Sequence, residues 1–306
     1  MIRGRGVTLG GGSNAIVLTV DSGATVYATN GAKTVSGTAV NGVCTLKVPE
    51  TGVWTCWATL NGDTAESIEV VVTDAFPIEL QFGTRVKSLP VGTLLRLTES
   101  GAAANYRIVH QGLPSSMYDG SCDGTWLLRE TVPTSGTYFN GSSNNYANSR
   151  LHSYLNSTHL DLFDSATQAL IKQAKIPYVN GNGNSGYVAS GANGLSTKIF
   201  ALGAYELGWT TSNDSNLPID GACLDYFKGA SKSKRLSYLG NGNRTNWWSR
   251  SASKQNSEMV FFVGSSGELA STYCSSPVGI RPAMILDSNS KIVETPNNDG
   301  SYSVKV

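Results

Sequence analysis

The densest run of residues able to make adaptable polar contacts lies near the C-terminus. Ser253, Lys254, Gln255, Asn256, Ser257 and Glu258 follow one another, and Tyr273, Ser275 and Ser276 come soon after. Small hydroxyl and amide groups beside an aromatic ring form an adaptable contact surface, the chemistry that antibody paratopes use. These nine residues are the candidate ligand-binding set, although an ordinary solvated loop has the same composition. Two stretches of fixed character bracket them: Trp247-Trp248-Ser249-Arg250-Ser251-Ala252 before, Gly279-Ile280-Arg281-Pro282-Ala283-Met284 after. Trp247, Trp248, Arg250 and Arg281 read as structural anchors. A guanidinium is a planar fork that can hold several backbone carbonyls at once, which suits a core rich in loops. Glu206 is a candidate partner for such an arginine. Tyr187, Trp209 and Tyr226 could extend the polar surface or belong to the core.

Reaction chemistry has little to build on. The chain has no G-x-S-x-G, no H-E-x-x-H and no P-loop. Asn180-Gly181-Asn182-Gly183-Asn184 is glycine-rich but does not lead directly into a clear helix, so it is not expected to cradle phosphate. Five cysteines (Cys44, Cys56, Cys122, Cys223, Cys274) form no C-x-x-C pair. Cys44 and Cys56 could face each other on neighbouring strands, but an odd, scattered set argues for reduced thiols. Three histidines (His110, His152, His159) are too few and too scattered for zinc. A glycosidase needs two converging carboxylates, and the sequence does not bring Glu206, Asp214, Asp220 and Asp225 together. Acidic loop residues could hold a calcium ion, but no pattern supports one. No cofactor and no catalysis are expected.

Composition narrows the partners. The 306 residues carry a net charge of +1, and only 15% are charged, against roughly 25% in ordinary soluble proteins. A near-neutral chain without a basic run lacks the footprint of a nucleic-acid binder. No stretch approaches the roughly 18 apolar residues of a membrane span. Met1 to Gly12 has basic residues but no apolar segment behind them, which is not a signal peptide.

The elements that must position these groups fall into two sets. From Asn14 to Thr73 short strands alternate with turns: Ala15–Val20, Ala24–Ala28, Val43–Val48, Val53–Ala58 and Ala65–Thr73. Turns are expected at Asp21-Ser22-Gly23, Asn30-Gly31, Asn41-Gly42 and Asn61-Gly62-Asp63. This is the pattern of a small antiparallel sandwich, resembling immunoglobulin-like modules, and it places a docking or spacer domain at residues 1–76. Asp74-Ala75-Phe76-Pro77 marks the boundary. Residues 77–306 mix strands (Val91–Leu97, Tyr106–Gln111, Trp126–Arg129, Lys198–Leu202, Met259–Val263) with two helices. Ser149–Asn156 places Leu151, Tyr154 and Leu155 on one face. Ser165-Ala166-Thr167-Gln168 has the form of a capping box, with Ala166, Ala169 and Leu170 as the stripe behind it. The fold class is an all-β sandwich followed by an α+β domain.

The order of features from Tyr106 to Ala283 resembles a bacterial and phage domain of unknown function. The residues that carry this are Tyr106-Arg107-Ile108-Val109, Leu151-His152-Ser153-Tyr154-Leu155-Asn156, Gln168-Ala169-Leu170-Ile171, Lys198-Ile199-Phe200-Ala201-Leu202 with Glu206, Trp247-Trp248-Ser249-Arg250-Ser251, and Gly279-Ile280-Arg281-Pro282-Ala283. That family is similar to the C-type-lectin fold, in the branch shared with formylglycine-generating enzymes and with phage receptor-binding proteins diversified by retroelements. The resemblance implies a variable segment at Ser253–Ser276. It implies a phage virion protein of the tail or fibre, assembled in the host cytoplasm, whose lectin-like domain binds a host-surface protein or glycan. The glycine-rich N-terminus would contact other virion proteins, and a homo-oligomer would suit a fibre. A bacterial adhesion or structural module is the alternative. A formylglycine-generating oxidase is a second, with Cys223 and Cys274 as its only available cysteine pair.

Overall fold

The computed structural model describes residues 3–9, 13–65, 67–72, 84–181 and 187–306. The expected boundary at Asp74–Pro77, the residues Asn182–Asn184 of the glycine-rich loop and the N-terminal Gly10–Gly12 lie outside them. The chain divides into two compact units, Met1–Gly83 and Thr84–Val306. Both are rich in β-strand.

In the first unit, β1 (Arg3–Leu9), β2 (Ser13–Thr19) and β5 (Val43–Val48) form one antiparallel sheet in the order β1-β2-β5. The second sheet runs β4 (Thr34–Thr38), β3 (Thr25–Thr29), β6 (Gly52–Leu60), with β7 (Asp63–Thr64) and β8 (Ile68–Val72) both on β6. Period-two burial drives this: in β5, Cys44, Leu46 and Val48 are buried while Val43, Thr45 and Lys47 are exposed. Trp54 is fully buried at the centre, and its indole N–H donates to Glu50 O at 3.3 Å. Truncating it to alanine would cost about 3–5 kcal/mol. The Asn41-Gly42 and Asn61-Gly62 turns have positive φ at both residues (52° and 80°, 53° and 91°), the geometry that suits Asn-Gly in two-residue hairpins. Cys44 and Cys56 are both buried, but their strands belong to different sheets and are not neighbours; all five cysteines are free thiols.

The second unit holds two larger sheets. The strands β9 (Leu94–Glu99), β10 (Ala102–Gly112) and β11 (Gly124–Arg129) form an antiparallel meander. The remaining strands are β12 (Thr134–Tyr138), β13 (Ala174–Ile176), β14 (Tyr178–Val179), β15 (Val188–Ala189), β16 (Leu195–Thr197), β17 (Ile199–Phe200), β18 (Trp247–Ala252), β19 (Met259–Val263), β20 (Leu269–Tyr273), β21 (Pro277–Ile280), β22 (Ala283–Leu286) and β23 (Tyr302–Ser303). One sheet is ordered β17-β22-β11-β10-β9-β23, the other β12-β21-β18-β19-β20. The last strand, β23, lies parallel to β9, so the end of the unit returns beside its beginning. Trp126 anchors the core edge-on to Tyr118 and Phe200, each 5.5 Å away; Trp248 does so against Phe139 at 5.6 Å.

Helix is scarce. α1 (Arg150–Tyr154) is capped by the Ser149 hydroxyl, which accepts from the His152 N–H, and it buries Leu151. It then widens into a π turn over Leu155–His159. Asn156 explains the widening. Its amide donates to His152 O and Ile199 O, and its carbonyl accepts from the Lys198 and Ile199 N–H groups, stapling the turn to β17. α2 (Ser165–Leu170) begins one residue earlier than a cap at Ser165 would have it. Asp164 is the cap and accepts from Thr167 N–H at 2.7 Å. Ala166 and Ala169 are exposed; of the expected stripe only Leu170 packs against the core, and Thr167 is buried beside it.

Candidate ligand-binding surface

The central strand β18 is buried along its whole length, on both faces. Polar residues in it must therefore find internal partners. The Ser249 hydroxyl donates to Phe261 O at 2.7 Å. Arg250 uses all five of its N–H donors: Nε to Pro177 O, Nη1 to Ala201 O and Glu206 Oε2, Nη2 to Glu206 Oε1 and Asp220 O, at 2.6–3.1 Å. Glu206 also accepts from Tyr118 Oη and from Gly203 N–H, both at 2.8 Å. Burial by itself would lower the Arg250 pKa, but the Glu206 carboxylate reverses this and raises it, so the guanidinium stays charged. Asp220 lies beside them with Oδ2 accepting from Ser251 Oγ at 2.7 Å, while Oδ1 has no hydrogen-bond partner. Burial pushes Asp220 up to about 6, against the pull of Arg250 and the Ser251 hydroxyl. Glu206 and Asp220 thus do converge, around a guanidinium and sealed from solvent. They clamp β18 rather than line a cleft.

Trp247, Trp248 and Arg281 are buried in the same way. Trp247 Nε1 donates to Arg235 O and Trp248 Nε1 to Thr137 O. The Arg281 guanidinium lies 5.0 Å from the Trp247 ring centre and donates through Nε to Arg129 O at 2.7 Å.

This rigid strand leads straight into the candidate surface. The loop 253–258 joins β18 to β19, and Met259 pairs with Tyr273 at the end of β20. The two polar stretches, 253–258 and 273–276, therefore meet at one end of the five-stranded sheet, where Cys274 N–H donates to Glu258 O at 2.7 Å. A buried asparagine holds the loop from beneath. Asn144 Nδ2 lies within hydrogen-bond distance of Ser253 O, Asn256 O and Met259 O (2.9–3.2 Å), and Asn144 N–H donates to Ser257 O at 2.7 Å. Asn140 N–H reaches Cys274 O, and Lys254 N–H reaches Asn216 O. The loop backbone is thus engaged inward, while Gln255, Asn256, Glu258, Tyr273 and Ser275 are exposed. Tyr273 keeps 55% of its surface in solvent, which leaves its ring available for contact. Lys254, Ser257 and Ser276 are half-buried. Ser253 is buried and its hydroxyl accepts from Gln255 N–H, so it shapes the turn rather than facing outward.

A model of the family described as a domain of unknown function, DUF6273, matches residues 123–288, more than half of the chain. The chain belongs to the DUF6273 family. The DUF6273 region opens at the head of β11 and closes just after β22. It contains the five-stranded sheet, the Glu206–Arg250 clamp and the whole candidate surface, but not β9, β10 or β23. No curated protein and no solved structure matches the chain.

Outside this surface, Tyr187 is exposed, whereas Trp209 is buried beneath the Arg235 guanidinium at 4.7 Å. Tyr226 packs against the core, with the Arg107 guanidinium 5.4 Å and the Lys234 ammonium 4.6 Å from its ring centre. Burial raises the pKa of both Cys223 and Cys274. Among the described residues, no cluster of three or more His, Cys, Asp or Glu suits a metal ion, and no helix is long and apolar enough to cross a membrane. The residues that sequence reasoning missed are Asn140, Asn144 and Asn216. Their signal was the turn-forming composition of Asn140-Gly141-Ser142-Ser143-Asn144-Asn145.

Proposed function

We propose that this is a bacteriophage virion protein of the tail or its fibres, and that its C-terminal unit is a lectin-like module that binds a protein or glycan on the host surface. The observation that carries the reading is the surface at the end of the five-stranded sheet. Its backbone is tied inward by Asn144, and its exposed side chains are Gln255, Asn256, Glu258, Tyr273 and Ser275. A rigid frame with adaptable polar side chains and an aromatic ring lowers the ordering cost of binding while leaving the contacts free to change. The N-terminal unit, two sheets of short antiparallel strands around Trp54, supports an immunoglobulin-like docking or spacer role. Copies of the chain would assemble into a homo-oligomer on other virion proteins.

An oxidase of the formylglycine-generating type finds less support. Its two cysteines would need an activated thiol, and burial moves both in the opposite direction.

The test is labelling of a panel of intact bacterial strains with the fluorescent full chain. The control carries Gln255→Ala, Asn256→Ala, Glu258→Ala and Tyr273→Ala together. Labelling of some strains by the native chain, lost in the control, supports an attachment protein. Equal labelling by both, or no strain labelled, removes the reading.

A further inference from the structure

In the N-terminal unit, the sheet β4-β3-β6 turns one face to the core through Val26, Ala28, Trp54, Cys56 and Ala58. The other face carries the alternate residues. Tyr27 pairs with Trp57 across β3 and β6, and their rings stack at 5.3 Å with planes 11° apart. Two stacked rings leave one face of each turned away from the other. The free face of Tyr27 is on the β4 side, and there the residue opposite it is Ser36. No large side chain occupies that row: Thr34, Ser36 and Thr38 project from β4, an edge strand, with Thr25 and Thr29 opposite on β3. The hydroxyls of Thr25, Ser36, Thr38, Thr55 and Thr59 make no hydrogen bond among the described residues, although all five are partly or fully exposed.

We infer that this face is a binding site for a neutral glycan, with one sugar ring against Tyr27 above the hydroxyls of β4. The ligand chemistry follows from three properties. An aromatic face packs against the C–H face of a pyranose, as it does against other flat, partly apolar rings. Unengaged hydroxyls both donate and accept, matching sugar hydroxyls that do the same. The shelf over β4 and β3 carries no charged side chain; Lys33, at the turn, is paired with Glu50 at 2.9 Å. A polyanion would find no counter-charge there. The site is separate from the C-terminal surface and does not depend on it.

Affinity electrophoresis of the full chain in native gels containing dextran, mannan, laminarin or soluble β-1,4-glucan tests this, with heparin as the anionic control. Retardation by at least one neutral polysaccharide and none by heparin is expected. Tyr27→Ala should abolish it. Ser36→Glu leaves the aromatic pair and the fold in place, as an unchanged melting temperature will verify, and should weaken retardation at least tenfold. The quadruple loop variant of the C-terminal surface should be retarded like the native chain, which separates this site from that one. No retardation by any neutral polysaccharide, retardation by heparin alone, or equal retardation of Ser36→Glu would overturn the inference. So would a dimer of the native chain that Ser36→Glu dissociates, since a second copy would then be the occupant.

Discussion

Arg250 and Glu206 meet fork to fork, with Nη1–Oε2 and Nη2–Oε1 both at 2.6 Å and neither side chain reaching solvent. The three remaining guanidinium donors end on carbonyls of Pro177, Ala201 and Asp220. One side chain on β18 therefore ties together three loop segments that have no ladder of their own. A buried pair is not a large net source of stability, because desolvation opposes the attraction, but losing one partner strands the other. Glu206→Ala should therefore destabilise the C-terminal unit by about 3–5 kcal/mol. Arg250→Lys should also destabilise it, since an ammonium has three donors for five acceptors. Urea unfolding followed by near-UV circular dichroism measures both. A loss below about 1 kcal/mol in Glu206→Ala, the size of an exposed pair, would show that the clamp is unimportant.

Asp220 should make stability fall as pH rises through the mildly acidic range. Burial raises its folded pKa from 3.8 to about 6. The folded state then holds this proton more tightly than the unfolded chain. Its contribution is most favourable below pH 3.8 and is lost as pH rises towards 6, by about 3 kcal/mol in all. Asp220→Asn keeps an oxygen for Ser251 and cannot ionise. The difference in stability between Asp220→Asn and the native chain should grow between pH 4 and pH 6.5 and then level off. A difference independent of pH would contradict this account.

His159 acts with the opposite sign. It is fully buried; Nδ1 has no hydrogen-bond partner, and Nε2 lies 3.4 Å from Tyr106 Oη. Tyr106 in turn donates to Glu99, which is paired with Arg129. Burial lowers the His159 pKa from 6.5 to about 4, against the pull of Glu99. Its contribution is complete above pH 6.5 and is lost as pH falls towards 4, again by about 3 kcal/mol. His159→Gln should flatten the acid limb of the unfolding midpoint between pH 6.5 and 4. The nuclear magnetic resonance titration of the His159 ring should show no protonation at pH 5.5.

Asn144 should govern the order of the loop 253–258 without touching a ligand. Asn144→Ala removes the amide shared by Ser253 O, Asn256 O and Met259 O. Asn256 O and Met259 O keep a donor each, from Met259 N–H and Ser253 N–H, but Ser253 O loses its own, and a buried carbonyl left without a partner costs about 1–3 kcal/mol. Hydrogen exchange should speed up by tenfold or more at the Ser253, Met259 and Cys274 amides, while the β10–β11 amides stay protected. Uniform acceleration across the unit would mean that Asn144 supports the fold as a whole rather than this loop.

Much of the strand framework was legible from local pattern. Period-two alternation located Val43–Val48 and Val53–Ala58, and Asn-Gly pairs located the turns at 41–42 and 61–62, because both signals act between near neighbours. The Thr34–Thr38 strand escaped notice, since its inward positions are Val35 and Gly37 and a glycine hides the alternation. The two helices were visible in outline. The cap at Asp164 and the π turn at Leu155 were not, because each depends on which side chain wins a backbone group once the chain is folded.

The sequence by itself determined the residue types along the polar segment, the two aromatic and arginine anchors that bracket it, and the strand pattern, since these rest on composition and short-range periodicity. Only the tertiary structure decided that Arg250 closes on Glu206, 44 residues earlier, and that Asn144 underpins a loop more than 100 residues later. It likewise decided that Ser253 turns inward while Tyr273 stays in solvent. Hydrogen-bond satisfaction inside a buried strand is settled by whatever donors and acceptors the packed loops deliver there, and no local spacing in the chain encodes that.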